Sequence, residues 1–165
     1  MICYRYFTSS SFKDSIKSIS NSQLESVVTV GDNRIKVITV FLIHEGKILL
    51  LKRSPKVRTM KGMWGGISGY LENEDPLVQA LKEIREESGL LESQVDLLRS
   101  AEPLEARDTQ LPNIVWIVHP YLFQSTTHSI KIDWEHDEYK WITPHDLEKY
   151  KTVPKLKDAL EKLLH

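Results

Sequence analysis

Between Ser68 and Leu90 the chain reads SGYLENEDPLVQALKEIREESGL, the stretch that most restricts how it can fold. Asp75 is a good helix cap, Pro76 follows where a missing N–H costs nothing, and Gly89 can take the left-handed conformation that ends a helix. The spacing therefore predicts one helix of about three and a half turns. At 100° per residue, Leu77, Ala80, Leu81 and Ile84 form an apolar stripe, whereas Gln79, Glu83, Glu86 and Glu87 gather on the far side. Like charges three and four residues apart on a helix repel by about 0.2–0.5 kcal/mol per pair. A divalent cation would turn that repulsion into ligation, and carboxylate oxygens suit hard ions, Mg²⁺ first and Mn²⁺ second.

The 165 residues suffice for one domain with a substantial core. With 22 basic and 23 acidic side chains the net charge is −1, so no global field exists to hold a nucleic acid duplex or an anionic membrane. The one cysteine, Cys3, excludes a disulfide framework and a thiolate zinc site, and fits a reducing, cytoplasmic setting. The longest apolar run, Val37 to Ile43, is interrupted by Thr39 and is far short of the roughly 20 residues of a membrane helix. Residues 1–30 differ from the rest, with eight serines and only Asp14 and Glu25 as acids. That resembles a transit peptide in composition, but Arg5 is its sole arginine, so it reads as an N-terminal extension to a single domain over 31–165.

Val37 to Ile43 and Ile48 to Lys52 read as strands joined in a hairpin across His44–Lys47. Arg53 to Gly66 reads as a loop. Val95 to Leu98, Ile114 to Phe123, Ser129 to Ile132 and Glu138 to Ile142 read as further strands, and Pro120 suggests that the second lies at an edge or bends. Helices are expected to begin at Thr143-Pro144 and at Thr152-Val153-Pro154, the last one burying Leu156, Ala159, Leu160 and Leu163. This order of elements predicts an α/β sandwich with a mixed sheet.

The acidic helix and its flanks resemble the Nudix hydrolase family, whose signature is glycine, five residues, glutamate, seven residues, then Arg-Glu-apolar-x-Glu-Glu-x-Gly-apolar. Glu74, seven residues, and Lys82-Glu83-Ile84-Arg85-Glu86-Glu87-Ser88-Gly89-Leu90 match the second half, with lysine for arginine. Gly69 precedes Glu74 by four intervening residues, one fewer than the pattern, so either the turn is tighter or Asp75 shares the role of Glu74. Trp64-Gly65-Gly66 and Trp141-Ile142-Thr143-Pro144 are similar to the family's flanks. The resemblance implies a Nudix-like α/β/α sandwich that hydrolyses a nucleoside diphosphate linked to another group, with water attacking phosphorus.

The resemblance also implies roles. Glu83, Glu86 and Glu87 would ligate the metal with a backbone carbonyl of Ser68 or Gly69, and either Glu83 or an acid outside the helix would take the proton. Glu135, in the acidic turn Trp134–Glu138, is the candidate for that further carboxylate. Gly69, Glu74, Lys82 and Gly89 would support the turn and helix, with Lys82 paired to Glu74. The basic residues Lys52, Arg53, Lys56, Arg58 and Lys61 precede the acidic turn, and Arg53 with Lys61 is the preferred phosphate-binding pair. Trp64, Trp116, Tyr121 and Trp134 are aromatic faces able to stack a base, with Trp116 alternating as a core residue does. The expected partner is a small nucleotide or diphosphate, bound by a monomer or homodimer. The alternative is a Nudix-like nucleotide-binding or regulatory module without catalysis. An isoprenoid diphosphate isomerase would need a better placed cysteine than Cys3.

Overall fold

The computed structural model describes residues 33–72 and 75–165. Glu74 and the N-terminal extension lie outside the described residues. The hairpin is present: β1 (Asn33–His44) and β2 (Lys47–Arg53) meet at a turn in which Glu45 and Gly46 both have positive φ, 47° and 74°. That is the twist-matched two-residue turn for a right-handed hairpin. β3 (Trp64–Gly65) and β4 (Ile67–Tyr70) follow, so the stretch expected to be all loop contains two strand residues at its end. Next come α1 (Pro76–Ser88), β5 (Val95–Ser100), β6 (Leu104–Asp108), β7 (Leu111–Ser125), β8 (His136–Ile142), a 3₁₀ segment (Pro144–Lys149) and α2 (Leu156–Leu164).

Among the described residues the strands form one eight-stranded mixed sheet. β1 is its axis, running parallel to β7 on one side and antiparallel to β4 and then β2 on the other. Alternation along β1 sends Ile38, Val40 and Leu42 to one core with Ala80 and Ile84 of α1, while Phe41 joins Leu156, Ala159, Leu160 and Leu163 of α2 in another. One helix therefore covers each face, and each buried Leu or Ile contributes about 1.5–3 kcal/mol.

α1 is bounded as its sequence requires. Asp75 accepts a hydrogen bond from the Leu77 amide at 2.8 Å, and Gly89 closes the helix at φ 72° with its N–H on the Arg85 carbonyl. α2 starts slightly later than Thr152-Val153-Pro154 implied, behind Lys155 at φ 64°.

Two strand expectations are corrected. β7 lies inside the sheet, so Pro120 does not mark an edge. It sits where the antiparallel partner of β7 changes from β6, at Leu104↔Val118, to β5, at Ser100↔Tyr121. A residue's N–H and C=O point to the same side of a strand. The Pro120 carbonyl accepts from Ala101 at 3.2 Å, so the absent N–H faces the gap between β6 and β5 and the parallel ladder to β1 is spared. Ser129–Ile132 is not a strand. It docks on the end of α1, with the Lys131 amide donating to the Ser88 carbonyl at 2.9 Å and Ile130 and Ile132 against the α1-side core.

Candidate functional site

Most of the carboxylate face of α1, at Gln79, Glu83 and Glu87, is turned inward toward β4 and away from solvent. Gln79 is fully buried and Glu87 only 4% exposed, whereas Glu86 faces solvent. The reason is the close approach of β4, which Gly69 permits: a Cβ on Gly69 would lie 2.1 Å from Glu83 Oε1 and 2.2 Å from its Cδ. The Glu83 carboxyl occupies the space a side chain at 69 would need. Gln79 Nε2 donates to Glu83 Oε1 at 2.6 Å, and the Ser68 amide donates weakly to both Glu87 oxygens at 3.4 Å.

The other wall is the segment before β8. The Ser54 amide donates to the Glu135 carbonyl at 2.8 Å, the Ser54 hydroxyl to the Trp134 carbonyl at 3.1 Å, and the Glu135 amide to Asp133 Oδ1 at 3.1 Å. These bonds hold the acidic turn against the end of β2, opposite α1. His136, 6% exposed, places Nδ1 3.0 Å from Asp133 Oδ1 and Nε2 3.7 Å from Glu87 Oε2.

Electrostatics show how crowded the acids are. Burial pushes the Glu87 carboxyl well above the usual range, and the fields of Glu83, Asp133 and Glu135 push further, against the Ser68 amide. Burial likewise raises Glu83, opposed by the Gln79 hydrogen bond and reinforced by Glu86 and Glu135. Burial holds His136 below its ordinary value, although Asp133 pulls it upward. Among the described residues no three His, Cys, Asp or Glu side chains close into a metal-holding group. The contacts run pairwise, and the donors are oxygen-rich and mutually repelling, which suits a hard cation.

The other predicted residues divide. Arg53 lies on the carboxylate side, its field reaching His136 and its Nε donating to the Thr59 carbonyl at 3.1 Å. Lys61 is exposed on the loop. Trp64 is buried in the α2-side core, edge-on to Tyr150 at 5.2 Å, with Lys52 and Lys140 over its ring. Its ring and the Lys52 charge are thus turned away from the carboxylates. Trp116 is buried, and Trp134, at 59% exposure, stands free beside Glu135. Lys82 contacts Glu72 at 3.4 Å. Burial lowers the Lys82 pKa, but Glu72, Glu86 and Glu83 outweigh it and hold the ammonium above its ordinary value. Asp133, His136 and Gln79 were missed. The signal for Gln79 was its place on the carboxylate face four residues before Glu83, and that for Asp133 and His136 was only their nearness to Glu135.

A model described as NUDIX domain matches residues 32–163. Among solved structures, the MutT protein from Methanosarcina mazei Go1 is similar at 23% identity and TM-score 0.63, over 81% of this chain and 94% of that one. A C. elegans Ap4A hydrolase in a binary complex is similar at 20% identity and TM-score 0.62, over 78% and 93%. The NUDIX domain of Shewanella oneidensis NrtR, complexed with ADP ribose, is similar at 15% identity and TM-score 0.58, over 91% and 94%. Likeness at these identities speaks for the fold. No curated protein matches the chain.

Proposed function

The chain belongs to the NUDIX domain family of pyrophosphatases, and from that premise we propose that it is a divalent-cation-dependent hydrolase of a nucleoside diphosphate linked to another group. The observation that carries the reading is the inward-turned carboxylate set: Glu87 is buried yet lies in the fields of Glu83, Asp133 and Glu135. Keeping such buried like charges ionised costs several kcal/mol per ion, a cost that a bound cation offsets. Glu83, Glu86 and Glu87 would hold Mg²⁺ or Mn²⁺, with a Ser68 or Gly69 carbonyl as a further donor. When bound, the ion neutralises pyrophosphate oxygens and makes a water more acidic.

The chain's own groups have separate tasks. Glu83 is oriented by Gln79 through its Oε1, which leaves Oε2 available for a proton. Glu135, held by its backbone bonds to Ser54 and Asp133, is the other base. Arg53, at the end of β2, and Lys61, on the loop that follows, would meet the phosphoryl oxygens. One similar protein is an Ap4A hydrolase and another is complexed with ADP ribose, so both substrate classes belong in the test.

The test is to incubate the protein and Mg²⁺ with ADP-ribose, dinucleoside polyphosphates, nucleotide sugars and nucleoside triphosphates, then repeat with Glu86→Gln and Glu87→Gln. Hydrolysis of at least one class, lost in both variants, is expected. No product from any class would favour a binding or regulatory module, and undiminished activity in both variants would sink the metal assignment.

A further inference from the structure

We infer that His136 is a nitrogen ligand to the cation held by Glu87, with Asp133 as its positioning residue. The inference rests on Glu87 being a cation ligand. An ionised carboxylate only accepts hydrogen bonds, so Asp133 Oδ1, 3.0 Å from Nδ1, requires the imidazole proton on Nδ1. Nε2 of the neutral ring then carries a lone pair, and it is aimed at Glu87 Oε2 across 3.7 Å.

An imidazole lone pair and a carboxylate facing each other in a buried site need something positive between them, a proton while no metal is bound and the cation in its place once one is. The separation is too long for a direct hydrogen bond. It does suit a shared cation: two neighbouring donors about 2.0–2.1 Å from an octahedral ion stand roughly 3 Å apart, so the two side chains need to close by about 0.7 Å. The Asp133–His136 pair has the further property that metal-bound histidines generally show, the second ring nitrogen donating to a carboxylate that fixes tautomer and ring plane. His136 is also held from behind. Its amide donates to the Asp133 carbonyl at 3.4 Å, and it opens β8 opposite Arg53 of β2.

A nitrogen donor changes which ion the site prefers. Imidazole is a better partner for Mn²⁺ and later transition ions than for Mg²⁺, which takes oxygen. The chain should therefore bind Mn²⁺ more tightly than Mg²⁺, by a margin that depends on His136.

The experiment is pulsed electron paramagnetic resonance on full-length protein loaded with Mn²⁺, alongside titration of free Mn²⁺. Modulation from one imidazole ¹⁴N is expected in the wild type and its absence in His136→Gln. Asp133→Asn keeps the ring but loosens its orientation, and is expected to weaken Mn²⁺ binding about 10-fold or more. Mn²⁺ bound in a Glu87-dependent way with no nitrogen modulation would overturn the role of His136 and leave the proposed function standing. No Mn²⁺ binding at all would overturn both.

Discussion

Replacing Gly69 by alanine separates the fold from the site, because the three atoms nearest the added methyl all belong to the Glu83 side chain. Its Cβ would stand 2.1 Å from Glu83 Oε1, 2.2 Å from Cδ and 2.8 Å from Cγ. To regain ordinary contact the carboxyl must retreat by roughly 1 Å, which forces χ angles off their wells at about 0.5–1.5 kcal/mol. The retreat also breaks the 2.6 Å bond from Gln79, a loss of about 1.5–3 kcal/mol offset in part as the carboxylate regains water. A net loss of about 1–2 kcal/mol lowers Tm by about 3–8 °C. Displacing a reacting or ligating group by about 1 Å costs on the order of 10²-fold in rate. Gly66→Ala is the control: there the Cβ would lie 2.6 Å from the Val40 carbonyl, backbone of the sheet's axis, which cannot swing aside. Thermal unfolding and kcat on the best substrate should show Gly69→Ala mildly destabilised and nearly inactive. Gly66→Ala should lose much more stability. Turnover in Gly69→Ala within a few-fold of wild type would refute the argument.

Three further outcomes are expected. Glu83 and Glu87 have folded pKa values raised mainly by burial, so their contribution to stability is present below pH 4.5 and is lost as pH rises through their folded values; that of His136, held down mainly by burial, is present above pH 6.5 and lost as pH falls through its folded value. The Tm gain from added Mg²⁺ or Mn²⁺ should thus be larger at about pH 8 than at about pH 5, and a gain independent of pH would contradict the carboxylate assignment. Lys82→Arg should keep its fold and turnover, since the half-exposed 3.4 Å contact to Glu72 contributes at most about 1 kcal/mol; a large fall in kcat would show that lysine is specifically required. Trp64→Ala should cost about 3–5 kcal/mol in chemical denaturation with no change in nucleotide KM, and the opposite pattern would return Trp64 to the binding site.

The limits of α1, the β1–β2 turn and the two amphipathic helices were legible in the residues, because caps, turn glycines and 3.6-residue stripes act over a few neighbours. Even there the stripe told only half the story. Periodicity placed Gln79 and Glu87 opposite Ala80 and Ile84, but solvent is not what lies opposite: β4 does, because Gly69 lets it approach. Pro120 misled for a related reason. A missing N–H is costly inside a sheet only where a partner acceptor faces it, and the change from β6 to β5 is invisible along β7 itself.

What the sequence determined alone is therefore the helix that carries the acids, its capped ends and the chemistry of its carboxylates. Tertiary structure decided which other groups meet them. Asp133, Glu135 and His136 are brought to Glu87 by bonds from Ser54, some 80 residues away, and by the register of β2 with β8. Sheet register sums many weak pairings across distant strands, and no local pattern encodes that sum.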